Sequence, residues 1–158
     1  MDKKAEKLTK ILNDFLKPFN TSCYYGADFG YSPILRTIYY SLVMTDTGSK
    51  VFMEHFNSIA PDITCDVFLA SFLHELGHHM TLSTFSEEEI DEYYDDVEYI
   101  RAHLEEGEFS DEEYFNLPVE AAATNWAINF IRNNAFILAK LWTKVQSAIL
   151  EIYENEVE

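Results

Sequence analysis

The chain is poor in positive charge. Its 158 residues carry 11 Lys+Arg against 28 Asp+Glu, a formal charge of −17. Non-specific nucleic-acid binding needs Lys and Arg to replace counterions on phosphate, so the composition argues against a nucleic-acid partner. It argues equally against docking on anionic lipid. Cysteine is scarce too: Cys23 and Cys65 stand 42 residues apart, and neither sits in a C-x-x-C pair. That spacing fits neither a disulfide framework nor a cysteine zinc knuckle. The reading is two buried free thiols in a reducing cytoplasm. No apolar run approaches the ~18 residues of a membrane span. The segment Met1–Lys7 lacks the apolar stretch of a secretory signal, so a cytoplasmic location is expected. No repeat of 20–50 residues marks a solenoid.

Core-forming material is plentiful. Hydrophobic residues make up 47% and aromatics 15%, which excludes a disordered chain. The length suits a single domain over residues 1–158, with 133–158 as a covering helix. Leu8, Ile11, Leu12, Phe15, Leu16 and Phe19 recur at helical spacing, which predicts a helix over 3–17 that stops near Pro18. From Cys23 to Phe56 the β-branched and aromatic density predicts strands near 23–29, 34–44 and 50–56. The last two flank Thr45–Ser49 as a hairpin turn, although 50–56 also suits a short helix. Pro61 then opens a largely apolar helix over 62–82. Residues 87–113 hold 14 of the 28 acids and one base, Arg101. Ile90, Tyr93, Tyr94, Val97, Ile100 and Leu104 keep helical spacing within them. The segment reads as a helix with an aromatic inner face and a solvated acidic outer face, ahead of a loop at 107–111. Asn116 and Pro118 open an alanine-rich helix over 118–132, and a final amphipathic helix follows from Ile137. The predicted class is α+β, mostly helical, with a small antiparallel sheet before the central helix.

Three of the five histidines fall within six residues, in Phe72-Leu73-His74-Glu75-Leu76-Gly77-His78-His79. A spacing of four puts His74 and His78 on one helix face, one turn apart, where both can bind a tetrahedral zinc. Glu75 follows the first histidine and can reach water beside such an ion without being a ligand. This is the H-E-x-x-H pattern. Histidines inside an apolar helix need partners, because buried polar groups must be satisfied. A pair of hydrogen-bonded core histidines is the plain alternative to a metal. A catalytic zinc needs a third protein ligand and an open position. His79 lies about 100° around the helix from His78 and points elsewhere. Cys23, Cys65, His55 and His103 have no supporting pattern. Glu120 sits in the first turn of the alanine-rich helix, where Ala121, Ala122, Ala123 and Ala127 permit close approach. On spacing alone it reads equally well as a first-turn carboxylate facing the helix dipole.

His74-Glu75-Leu76-Gly77-His78, followed by Glu120, Ala123, Trp126 and Ala127 in a Glu-x-x-Ala-x-x-aromatic-Ala arrangement, resembles the ImmA/IrrE-type zinc metallopeptidases of phages, mobile elements and bacteria. The match is specific over some 15 residues. It departs at Ala122, where many members carry a second glutamate, and in the long acidic stretch between His78 and Glu120. The resemblance implies a zincin-like fold, Zn2+ as cofactor, His74, His78 and Glu120 as ligands, and Glu75 as catalytic base. It further implies a protein or peptide substrate, by analogy a repressor.

The expected activity is hydrolysis of a peptide bond. An extended substrate could add to a sheet edge, with 34–44 or 50–56 as candidates. His79, Tyr93, Tyr94 and Tyr114 are candidate transition-state donors. Two alternatives use the same residues: a zinc-binding interaction module without catalysis, and a hydrolase of some other bond. A third is a purely structural domain without metal. The sequence carries no statement of oligomeric state.

Overall fold

The computed structural model of the protein describes residues 3–42, 46–103 and 111–156. The first helix, α1 (Glu6–Leu16), is entered and left through short 3-10 turns at Lys3–Ala5 and Lys17–Phe19, the second holding Pro18. Leu8, Leu12 and Leu16 form its fully buried stripe. Asn20, in the left-handed region at φ 60°, turns the chain into β1 (Ser22–Tyr25). The Asn13 side chain accepts from the Cys23 amide at 2.7 Å and donates to the Cys23 carbonyl at 3.4 Å, so α1 satisfies backbone groups of this strand.

Two more strands follow, β2 (Gly30–Ser32) and β3 (Thr37–Tyr40), and β3 is central in the order β1-β3-β2. β2 and β3 are antiparallel, with Tyr31 opposite Ile38, while β1 and β3 are parallel, with Cys23 beside Ile38. The sheet is therefore mixed, and the expectation of an antiparallel sheet is corrected. That expectation rested on a hairpin between 34–44 and 50–56. The hairpin that forms lies earlier, between β2 and β3, and turns at Arg36 with φ 50°.

The segment predicted as a third strand is helical. α2 (Asp46–Ile59) runs through 50–56, and four of the five residues of the expected turn at Thr45–Ser49 belong to it; Thr45 lies outside the described residues. Val51, Phe52 and Phe56 raise β-propensity, but burial follows the helical period: Phe52 is partly buried, and His55, Phe56 and Ala60 are buried. Tertiary packing overrides the local preference here. Pro61 ends this helix rather than opening the next one, since the residue before a proline disfavours the helical region.

The next helix, α3 (Val67–Thr81), begins five residues later than expected. Asp66 caps it, its Oδ1 accepting from the Phe68 amide at 2.8 Å. Phe68, Leu69, Ala70, Phe72, Leu73 and Leu76 are all buried, so the all-round apolar pattern does mark the centre of the fold. The acidic segment forms α4 (Glu87–His103), and α5 (Asp111–Phe115) starts where a loop was expected. Leu104, expected in that helix, and residues 107–110 of the expected loop lie outside the described residues. Two long helices complete the chain, α6 (Pro118–Asn133) and α7 (Ala135–Glu156). α7 buries Leu138, Leu141, Val145, Ala148 and Ile152 in the main core, and its Glu151 pairs with Lys7 of α1 at 2.8 Å. Phe15, Phe19, Phe72, Trp126 and Phe130 pack as an aromatic cluster between α1, α3 and α6. Among the described residues, no helix is long and apolar enough to cross a membrane.

His55 is buried where α2 meets α5. Its ring stacks on Phe115 with centroids 4.9 Å apart, and its Nδ1 has no hydrogen-bond partner among the described residues. Burial lowers its pKa. Glu112, whose Oε1 is 4.0 Å away, pulls the other way, and His74 adds to the lowering. The folded chain thus prefers the neutral ring, while the unfolded chain takes up a proton near the ordinary value of about 6.5. The stability tied to this burial is full above that value and is lost as the pH falls below it. Urea unfolding followed between about pH 7 and pH 5 should show a shallower decline for His55→Phe than for the natural chain. An unchanged or steeper decline would contradict the buried neutral histidine.

Candidate metal centre

The site depends on how closely two helices approach. Gly77 of α3 faces the backbone of α6, and a Cβ added there would lie 2.3 Å from the Ala123 carbonyl oxygen and 2.9 Å from its Cα. No side chain fits at that point, so glycine is required. On α6 the buried positions are Val119, Glu120, Ala123, Thr124, Ala127 and Ile128. Apart from Val119, they follow i, i+3, i+4, i+7 and i+8 from Glu120. The small residues at 123 and 127 bring the axis of α6 against α3. That approach carries Glu120, only 2% exposed, onto the face presenting His74 and His78.

His74 and His78 point the same ring atom at one carboxylate oxygen. The Nε2–H of His74 donates to Glu120 Oε2 at 2.9 Å, and that of His78 donates to the same oxygen at 3.2 Å. The two rings stand nearly perpendicular, with centroids 4.7 Å apart. Donor atoms of the three residues lie within 4.8 Å of one another, and this is the one such group among the described residues. Ligands of a tetrahedral zinc at about 2.0–2.1 Å are spaced about 3.3 Å apart, so the cluster needs little movement to accept an ion. Two imidazole nitrogens and one carboxylate oxygen also form a donor set that suits zinc. His74 has a further partner that its spacing did not reveal. Its Nδ1 is 3.0 Å from Thr124 Oγ1, whose hydroxyl can accept as well as donate. Thr124 lies one turn beyond Glu120, and that i+4 relation was the available signal. Such a contact fixes the ring while leaving Nε2 for a metal.

The other oxygen of Glu120 is also occupied. Tyr93 of α4 donates to Oε1 at 2.5 Å, and Tyr114 of α5 donates to it at 2.8 Å. Burial raises the pKa of both phenols, and the charge of Glu120 raises them further, so both stay protonated as donors. Glu120 shows the opposite balance. Burial works to raise its pKa, but hydrogen bonds from His74 and His78 outweigh that and hold it far below the usual carboxylate range. His78 is displaced upward: burial opposes its charged form, and the bond to Glu120 more than compensates.

Glu75 lines the same cleft, half-buried, and among the described residues it accepts no hydrogen bond. Burial raises its pKa, against the influence of His74 and His78. The cleft measures about 680 Å³ and is bordered by Phe29 and Tyr31 beside the sheet, Phe52 of α2, Tyr93 and Tyr94 of α4, and Phe115 of α5.

The remaining candidates lie elsewhere. His79 donates from Nε2 to the Phe19 carbonyl at 2.8 Å, so in the neutral ring Nδ1 accepts from the Tyr31 hydroxyl at 2.9 Å. It faces away from His78, as the helical rotation requires. His103 donates from Nδ1 to the Tyr99 carbonyl at an exposed position, and His55 stacks on Phe115. Cys23 and Cys65 are free thiols, with burial pushing their pKa values up to about 12 and about 11. Comparison of the chain with known protein families, curated proteins and solved structures finds no match.

Replacing Gly77 by alanine forces α3 and α6 apart. The expected cost is about 1–3 kcal/mol of unfolding free energy, the usual range for overpacking. Any affinity of the His74, His78 and Glu120 group for added zinc should fall with it, because Glu120 moves with α6. Denaturant titration and metal analysis of Gly77→Ala check both, and wild-type values for the two would contradict the close approach.

Proposed function

We propose that the chain is a zinc-dependent hydrolase that cuts a peptide bond in a protein or peptide substrate. The observation that carries this reading is the convergence of His74, His78 and Glu120 at one point of a cleft that Glu75 also lines. A purely structural pair of histidines needs partners but has no need of a neighbouring carboxylate that, among the described residues, accepts no hydrogen bond. The resemblance of the H-E-x-x-H segment and the Glu120 segment to the ImmA/IrrE-type peptidases supports the same reading.

His74, His78 and Glu120 would hold the ion, and Thr124 would orient the His74 ring. A zinc ion in this ligand set supplies Lewis acidity, which polarises a carbonyl and makes water a nucleophile near neutral pH. Glu75 has the acid–base role. Its raised pKa brings it toward the operating pH, where a carboxylate can accept a proton from attacking water and return it to the leaving amine nitrogen.

Substrate would enter along the sheet. β3 is the inner strand and 50–56 is helical, so neither segment first considered offers an edge. The edge beside the cleft belongs to β2, whose Gly30 and Tyr31 line it. An extended peptide can pair there with backbone groups, which favours an unfolded or loop segment of a protein. Phe29, Phe52 and Phe115 give the cleft apolar surface for side chains.

Glu75→Gln separates catalysis from zinc binding. The variant should keep one zinc per chain and the melting temperature of the natural protein, and lose about 10²- to 10⁴-fold in cleavage rate. Digestion of a peptide library, read by mass spectrometry, measures the rate. Matching cleavage profiles for the two proteins would remove the catalytic role, and zinc binding without cleavage in either would leave an interaction module. Zinc absent from the natural protein, and unaltered in His74→Ala, would end the metal reading.

A further inference from the structure

Among the described residues Glu120 receives four donors, and they are sorted by oxygen. Both imidazoles face Oε2, and both phenols face Oε1. The two tyrosines come from different helices, and core packing does not explain their position. α5 buries none of its residues, and α4 buries only Val97 and Ile100. A phenylalanine would fill the same space at either position, so what the hydroxyl adds is the bond to Oε1. Each phenol has a single proton and directs it at Glu120 Oε1, with the two hydroxyls also near each other.

We infer that Tyr93 and Tyr114 are positioning residues that hold Glu120 as a one-oxygen metal ligand. The inference rests on the zinc reading above. A carboxylate beside a divalent ion can bind through one oxygen or both. With both, the second oxygen takes the coordination position that water and substrate need, and a four-coordinate catalytic site closes. Two hydrogen bonds on Oε1 use the lone pairs it would offer the ion, and Oε2 alone remains directed at the histidines. The pair thus divides the carboxylate into one oxygen for the metal and one for the protein. It also assigns a purpose to the segment between His78 and Glu120, whose acidic helix delivers Tyr93 and whose short successor delivers Tyr114.

Cobalt(II) substituted for zinc reports coordination number by its visible absorption, which weakens as four-coordinate geometry gives way to five. The full chain is loaded with cobalt as the natural protein, as Tyr93→Phe, as Tyr114→Phe and as the double variant. Tyr94→Phe serves as control, since Tyr94 borders the cleft and packs on Tyr93 at 5.4 Å between ring centroids. The double variant should bind cobalt about 10- to 100-fold more weakly, the usual effect of removing partners of a ligand, and its visible bands should lose intensity. Each single variant should show a smaller change of the same kind, and Tyr94→Phe none. A double variant with the natural spectrum overturns the inference, whether or not its affinity falls. If circular dichroism shows that the double variant does not fold, the single variants decide by the same criterion. A natural chain that binds no cobalt overturns the zinc reading itself, a result distinct from an unchanged spectrum.

Discussion

The closest approach between α3 and α6 is the constraint on which the rest depends. A histidine pair on one helix makes half a metal site, and the third donor must come from another element. At Gly77 the α6 backbone lies where a side chain would otherwise be. Glu120 is one turn before that contact, and Thr124 lies beside it, so a single backbone approach sets both the carboxylate that meets the two histidines and the hydroxyl that meets His74. Packed interiors transmit such constraints because side chains interdigitate with few voids. The aromatic cluster around Phe72, Trp126 and Phe130 fixes the same two helices farther along, which leaves their relative position little freedom.

The electrostatics of the site follow from that geometry. A carboxylate that is 2% exposed carries a large desolvation cost unless hydrogen bonds and charge offset it. Among the described residues no lysine or arginine bonds to Glu120. Two imidazoles and two phenols do so, and they keep it ionised. The chain around it carries a charge of −17, which adds to the attraction for a divalent ion. Deleting a donor from such a cluster exposes the remaining charge, which is why its members act as a unit.

Much of this was legible in the sequence. The apolar ring of residues around His74 and His78 marked a central helix, and the alanines after Glu120 marked a helix able to lie close to another. Both signals are local and periodic, and both survive folding unchanged. The sheet was less legible. Val51, Phe52 and Phe56 favour a strand by propensity, yet α2 places Phe56 under the core with helical spacing, and nothing local distinguishes the two outcomes. Strand order was hidden for a different reason. β1 and β3 become parallel neighbours only because the hairpin at 33–36 returns β3 between β1 and β2, a matter of topology that periodicity does not encode. The tyrosines were visible as candidates, but their role depends on which oxygen of a distant glutamate they reach.

The acidic segment shows how surface and site divide one helix. Along α4 the acids are exposed except for Asp96, which is half-buried, and the inward positions Tyr93, Val97 and Ile100 follow i, i+4 and i+7. Like charges repel one another, so the outer face cannot be what seats the helix. Two aliphatic side chains supply little apolar area, on the order of a few kcal/mol of burial. The contact from Tyr93 to a buried carboxylate adds to that burial in holding α4 over the cleft, and Tyr114 makes the matching contact from α5. Helix placement and the orientation of the Glu120 carboxylate thus share the same two hydrogen bonds.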